Sequence, residues 1–325
     1  MRHPPKIKMK TLHLTKKLIP FLLLVASTAL GTPPAGYTAW NFGGKFNNYG
    51  WLGLTSSGSL QSASSYMTHD GPTGYPTQFW DFMPDNKNFG SNQSNGSGPS
   101  PFTAYSTSGS SPFHQYYGHM AMDAYKDSTG TWHTGMVSTM APNGTGFVTP
   151  LPPYYLQWIV NCPVIPGGYW PGGTANYYPG GPWISGWALT KNAVFPDSNN
   201  VIQIVGMELY GKNPVAAMMV VQVSNPADSA QVSTTSATLN MPVPGQGKPG
   251  GWTGLHTFGV QVTASAITYY IDNAKVWQTP TPAGLLVEPM FIIFDFSLGA
   301  GYPIQIPSGY TIYLEDISCW SPPAL

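Results

Sequence analysis

Beyond Arg2 this chain has no arginine, and only seven lysines follow residue 17. Charged residues make up 8% of it, too few to form the basic stripe that nucleic acid requires or a patch for anionic membranes. Cysteine is as scarce. Cys162 and Cys319 are the only two, and with no histidine at ligand spacing beside them they make no zinc site. No apolar run reaches the roughly 20 residues that a bilayer-spanning helix needs. Amphipathic helical periodicity is nearly absent as well, which leaves an all-β architecture.

What is present begins with a leader. Arg2, Lys6, Lys8, Lys10, Lys16 and Lys17 precede an apolar core at 18–26, and small residues follow through Gly31. That order is expected of a secretory signal peptide over 1–31, placing the protein outside the cell or in a periplasm. With the leader removed, seven lysines face thirteen carboxylates, a formal charge of −6. In an exported protein the two cysteines are expected to form a Cys162–Cys319 disulfide, worth at most about 4–5 kcal/mol for so long a loop.

The remainder, 32–325, is long enough for one large β domain. Runs rich in Val, Ile, Thr, Tyr and Phe alternate with Gly, Pro, Asn and Ser clusters. They predict strands at 116–126, 132–140, 182–189, 201–211, 217–223, 257–262, 267–271, 290–296 and 311–320. Residues 86–111, mostly Asn, Ser, Gly and Pro, read as a long loop. Residues 141–181 read as an aromatic-rich insertion carrying Tyr154, Tyr155, Trp158, Tyr169, Trp170, Tyr177 and Tyr178.

One predicted strand stands out. Val201-Ile202-Gln203-Ile204-Val205-Gly206-Met207-Glu208-Leu209-Tyr210 is apolar apart from Gln203, Glu208 and the closing tyrosine, with a glycine between the first two. Alternation puts 203 and 205 on one face. A bulge at the glycine, near 206–207, returns 208 to that face, giving a file of amide, aliphatic and carboxyl groups.

Four segments around this strand resemble the laminarinase-like glycoside hydrolases of family 16, which are built on the concanavalin A-like jelly-roll β-sandwich. Tyr116-Tyr117-Gly118-His119-Met120 is similar to that family's YGYFE strand. Trp183-Ile184-Ser185-Gly186-Trp187-Ala188-Leu189 is similar to its WPAFWLL. His256-Thr257-Phe258-Gly259-Val260, with 267–272 after it, resembles FHTYAIEW and ITWYVDG. Pro289-Met290, followed by Asp295-Phe296-Ser297-Leu298-Gly299, resembles PMYLILNLAVGG. The segments keep the family's order across 113–320. The resemblance implies a concanavalin A-like jelly roll whose partner is a polysaccharide or oligosaccharide, with β-glucan the expected example.

By the same resemblance, the strand at 201–211 stands where the family keeps E-x-D-x-x-E followed closely by Tyr-Gly. Anchored on Tyr210-Gly211, Glu208 takes the acid/base position. Gln203 replaces the nucleophile and Val205 the aspartate between them. A retaining glycosidase needs two carboxyl groups about 5–5.5 Å apart, one of them a nucleophile. A neutral amide is a poor nucleophile, so the expectation is a protein that binds glycan without cleaving it. Two alternatives stay open. One is a working hydrolase that pairs Glu208 with another carboxylate, Asp295 or Asp81, at the roughly 6.5–9.5 Å of an inverting enzyme. The other is a structural surface or matrix protein.

The same comparison offers substrate-binding candidates. Trp183 and Trp187, four apart on a strand, face one side and either floor a sugar site or pack in the core. Trp158 and Trp170 are candidates from the aromatic insertion, and Asp295 and His256 from strands near the site. His114, His119 and His133 have no metal-ligand spacing. No cofactor is expected, although Glu315 resembles an acidic position that the family links to calcium. Asn143-Gly144-Thr145 is a glycosylation sequon that has meaning only in a eukaryotic secretory pathway.

Overall fold

A computed structural model describes residues 33–39, 67–68, 79–80, 112–116, 119–140, 146–162, 181–193, 199–211, 213, 216–225, 228–241, 254–299, 304, 306 and 309–323. The leader, the 86–111 loop, Asp81, the sequon and Trp170 lie outside these residues, as do the side chains of His114 and His119.

Strands dominate. In chain order they are β1 (Thr38–Ala39), β2 (Met67–Thr68), β3 (Phe79–Trp80), β4 (Phe113–Tyr116), β5 (His119–Lys126), β6 (Trp132–His133), β7 (Gly135–Ser138) and β8 (Tyr154–Cys162). Then follow β9 (Pro182–Thr190), β10 (Val201–Tyr210), β11 (Ala216–Asn225), β12 (Asp228–Asn240), β13 (Gly254–Val262), β14 (Ala266–Ile271), β15 (Ala274–Pro280), β16 (Met290–Leu298) and β17 (Tyr310–Ser321). The first sheet runs β15-β14-β13-β8-β17-β5-β4, with β1 on β17 and β6 on β5. The second runs β12-β11-β10-β9-β16-β7-β3-β2. Pairing is antiparallel except between β2 and β3. The expected all-β jelly-roll sandwich is the fold.

Period-two alternation decides what enters the space between the sheets. From the first sheet come Tyr154, Leu156, Trp158 and Val160 of β8 with Phe258 and Val260 of β13. From the second come Ile202, Ile204, Met207 and Leu209 of β10 with Ile292, Phe294 and Phe296 of β16; all share one buried core. The β14–β15 hairpin turns at Asp272-Asn273, both with positive φ (49° and 68°), the pairing that short hairpins favour.

Two expectations are corrected here. Residues 154–162 are not part of an insertion: β8 is an interior strand of the first sheet, hydrogen-bonded to β13 on one flank and β17 on the other. Trp158, a substrate-binding candidate, is 0% exposed in the core. The expected disulfide is absent, and both cysteines are free and buried. Register explains this. Cys319 pairs with Leu156, six positions along β8 from Cys162, which separates the two by about 20 Å. A disulfide spans Cα atoms no more than about 7 Å apart.

Candidate functional site

The bulge forms where the glycine predicts it. On β11 the partners run Val205↔Val220 and then Glu208↔Met218. On β9 they run Val205↔Trp187 and then Met207↔Gly186. The shift returns Glu208 to the outward face with Gln203 and Val205, while Met207 and Leu209 turn into the core.

Gly206 has a second reason to be glycine. The indole of Trp158 reaches across from the first sheet and lies against it. A Cβ on Gly206 would sit 2.5 Å from Trp158 Cζ3, and one on Gly186 would sit 2.9 Å from its Cγ. Trp158 Nε1 donates to the Ile293 carbonyl at 3.3 Å, fixing the ring between three strands of the second sheet. A core tryptophan therefore shapes the strand that carries the site.

Cross-strand register arranges the outward face in rows. One row reads Met218, Glu208, Ser185, Asp295, Met136 across β11, β10, β9, β16 and β7. The next is Val220, Val205, Trp187, Ile293, Ser138, and beyond it come Gln222, Gln203, Leu189, Phe291. On the other side of Glu208 lie Tyr210, Trp183 and Ser297. Met136, Trp187, Leu189, Val205, Val220 and Ile293 form an apolar cluster of their own on this face. The polar ends of the file, Gln203 and Glu208, are half-buried and are separated by that apolar row.

Both tryptophans of β9 turn to this face, and each holds a carboxylate. Trp183 Nε1 donates to Glu208 Oε1 at 2.8 Å, and Trp187 Nε1 donates to Asp295 Oδ2 at 2.7 Å. Trp183 stacks on Tyr210, with ring centroids 5.8 Å apart and planes at 19°. Tyr210 also hydrogen-bonds Glu208. Burial raises the Glu208 carboxyl above the ordinary carboxylate range, against the opposing pull of Tyr210 and Trp183. Asp295 is 2% exposed. Burial, assisted by the charge of Glu208, pushes it up to about 7, against the Trp187 bond and one from Ser297 at 3.4 Å.

The structure thus brings together Gln203, Val205, Glu208, Trp183, Trp187 and Asp295. It leaves His256 out. That ring is 2% exposed on the core side of β13, beside Phe258, and its Nδ1 pairs with Asp272 Oδ2 at 2.8 Å. Asp272 also accepts the Thr257 N–H, so the pair braces the hairpin. His133 pairs with Asp127 in a turn distant in register from the file. Tyr210 and Ser185 escaped the sequence reading. Tyr210 closes the strand with no local sign of its bond to Glu208, and Ser185 matters because it lies between two carboxylates on neighbouring strands. Among the described residues no group of three or more His, Cys, Asp and Glu side chains is placed to hold a metal ion. Among them, too, no helix is long and apolar enough to cross a membrane.

No protein-family model matches the chain, and no curated protein matches it in sequence. Solved structures do. LamAcat from Zobellia galactanivorans is 12% identical over 75% of this chain and 90% of that one, with a TM-score of 0.52. A LamA variant from the same organism, in complex with laminaritriose and laminaritetraose, is 12% identical over 75% and 91%, with a TM-score of 0.51. The fold is theirs. The catalytic domain of an endo-1,3-beta-glucanase (laminarinase) from Thermotoga petrophila follows at 16% identity over 66% and 82%, with a TM-score of 0.47. At such identities the likeness is one of architecture, and the chemistry of this chain rests on its own residues.

Proposed function

We propose that this chain is a polysaccharide-recognising relative of the family 16 glucanases that binds its glycan without cleaving it. The observation that carries the reading is the outward file of β10. Its one carboxylate, Glu208, is held by Trp183 and Tyr210; the motif resemblance, which puts a nucleophile at the position of the amide Gln203, supports the loss of cleavage.

Double displacement needs an anion to capture the anomeric carbon. Gln203 offers two N–H donors and a carbonyl instead, a set suited to hydroxyl groups. Val205 is 5% exposed and packs into the apolar cluster between the polar ends, so it backs the face rather than touching a ligand. Trp183 and Tyr210, half-buried and stacked on each other, supply the aromatic surface against which the C–H face of a pyranose ring can rest. The LamA complex with laminari-oligosaccharides makes a β-1,3-glucan the first ligand to test. The leader at 1–31 supports action outside the cell.

A second reading is favoured by one arrangement. Glu208 and Asp295 flank Ser185 in a single row, two strand spacings or about 10 Å apart at Cα. An inverting pair holds its carboxyl groups about 6.5–9.5 Å apart, a separation that side chains on such Cα positions can reach. Against it, Asp295 is almost fully enclosed and committed to Trp187.

Titrating the purified full chain with β-1,3- and mixed-linkage glucans, followed by tryptophan fluorescence, separates the readings. Recognition predicts saturable quenching with no new reducing ends. Hydrolysis predicts product, and a scaffold predicts neither.

A further inference from the structure

Among the described residues, β12 is the longest edge strand left unpaired on one flank, with β15 of the first sheet beside it. β12 is 13 residues long, about 40 Å. One flank is paired with β11 from Ala216↔Asn240 to Ser224↔Val232 without a bulge, and no described strand pairs the other. Such an edge presents a row of backbone N–H and C=O groups that can template another strand. The first sheet ends at β15, which carries Lys275 and Pro280 and lies against a bulge at Tyr269/Tyr270, and at β4, only four residues long. Shortness, charge, proline and bulges are the usual means of blunting an edge. β12 has an irregularity at 229–231, where its register with β11 shifts, but none of these devices along 232–240, where every residue is uncharged and none is proline.

We infer that the occupant of this edge is a second copy of the chain, its β12 antiparallel to the first across a two-fold axis. The sequence of the edge is compatible with itself. Centred on Thr235, the pairing sets Thr234 against Ser236, Ser233 against Ala237 and Val232 against Thr238, so no like charges meet and hydroxyl pairs form. Asp228, the strand's one charge, stays at the far end. Residues 232–236 are exposed, with Val232 42% accessible, so an apolar side chain stands at the edge where the copies would meet. The contact is also closed. A two-fold pairing uses the β12 edge of both copies and leaves neither free for a third, so assembly at this edge stops at a dimer. This inference is independent of the glycan reading and fails or stands apart from it.

Sedimentation velocity of the full chain over a wide concentration range tests it. The expected mass is twice that of one chain. Thr234→Lys and Ser236→Lys, each placing a cation on the edge without touching the core, return it to a single-chain mass with an unchanged melting curve. Ser265→Lys, in the exposed turn after β13, leaves the dimer intact. A single-chain mass at every concentration overturns the inference, as does a dimer indifferent to both edge lysines. If the lysine variants fail to fold, hydrogen exchange on the unmodified chain decides. Protection at 232–238 that grows with concentration supports the dimer, and protection independent of concentration contradicts it.

Discussion

Gly206→Ala is the perturbation that joins core to site most directly. The added methyl would meet Trp158 Cζ3 at 2.5 Å and both Trp158 Cε3 and Val260 Cγ2 at 3.1 Å. The indole has little room to retreat, because it is 0% exposed and its Nε1 is bonded to the Ile293 carbonyl. Overpacking of this kind costs about 1–3 kcal/mol. Replacing glycine recovers about 0.4–1 kcal/mol by restricting the unfolded chain. The net expectation is a loss of about 1.3 kcal/mol, or roughly 2–5 °C in Tm for a large domain. Urea unfolding monitored by tryptophan fluorescence measures it. The double variant Trp158→Phe/Gly206→Ala removes the benzo carbons that the methyl strikes, and should cost less than the sum of the single changes by about 1 kcal/mol or more. A neutral Gly206→Ala, or strictly additive single changes, would mean that Trp158 is not what demands glycine at the bulge.

Three further outcomes follow from the same geometry. Asp295 holds its proton up to about pH 7 in the folded chain but releases it near 3.9 when unfolded, so folding retains a proton between those values. Stability therefore falls as pH rises from about 4 to about 7, by at most about 1.4 kcal/mol per unit from this group, and Asp295→Asn flattens that slope in denaturation curves. A thiol assay without reductant should find both Cys162 and Cys319 reactive after denaturation and neither reactive in the native protein, where burial holds both thiols well above their usual range; absence of thiol in the denatured chain would contradict the register. Gln203→Glu combined with Val205→Asp installs on the file the carboxylates that the resemblance to family 16 expects there, and should raise the release of reducing ends from β-1,3-glucan above that of the unmodified chain.

Much of the architecture is visible in the chain because it is local. Alternation in 201–210, the turn at Asp272-Asn273 and a glycine between two polar residues each carry their structural meaning within a few positions. The face shared by Gln203, Val205 and Glu208 follows from those signals. Residues 154–162 misled because prolines and glycines crowd the sequence on both sides. Their own pattern, Tyr-Tyr-Leu-Gln-Trp-Ile-Val-Asn-Cys, is that of a strand buried on both faces, which runs continuously apolar rather than alternating. The cysteine expectation rested on the redox compartment, whereas the outcome was set by the register between β8 and β17. The bond from Trp187 to Asp295 joins residues 108 positions apart, and no local signal reports it. His256 had its partner sixteen residues away across a hairpin, a structural pairing that a search for site residues overlooks.

At issue is whether Glu208 stands on a face that recognises glycan and has lost the means to cut it. The most direct measurement is reducing-end release from β-1,3-glucan by the unmodified chain and by Glu208→Ala, with binding followed in the same samples. A recognition face gives saturable binding and no product from the unmodified chain, with weaker binding once Glu208 is removed. Clear turnover by the unmodified chain that Glu208→Ala abolishes would contradict it.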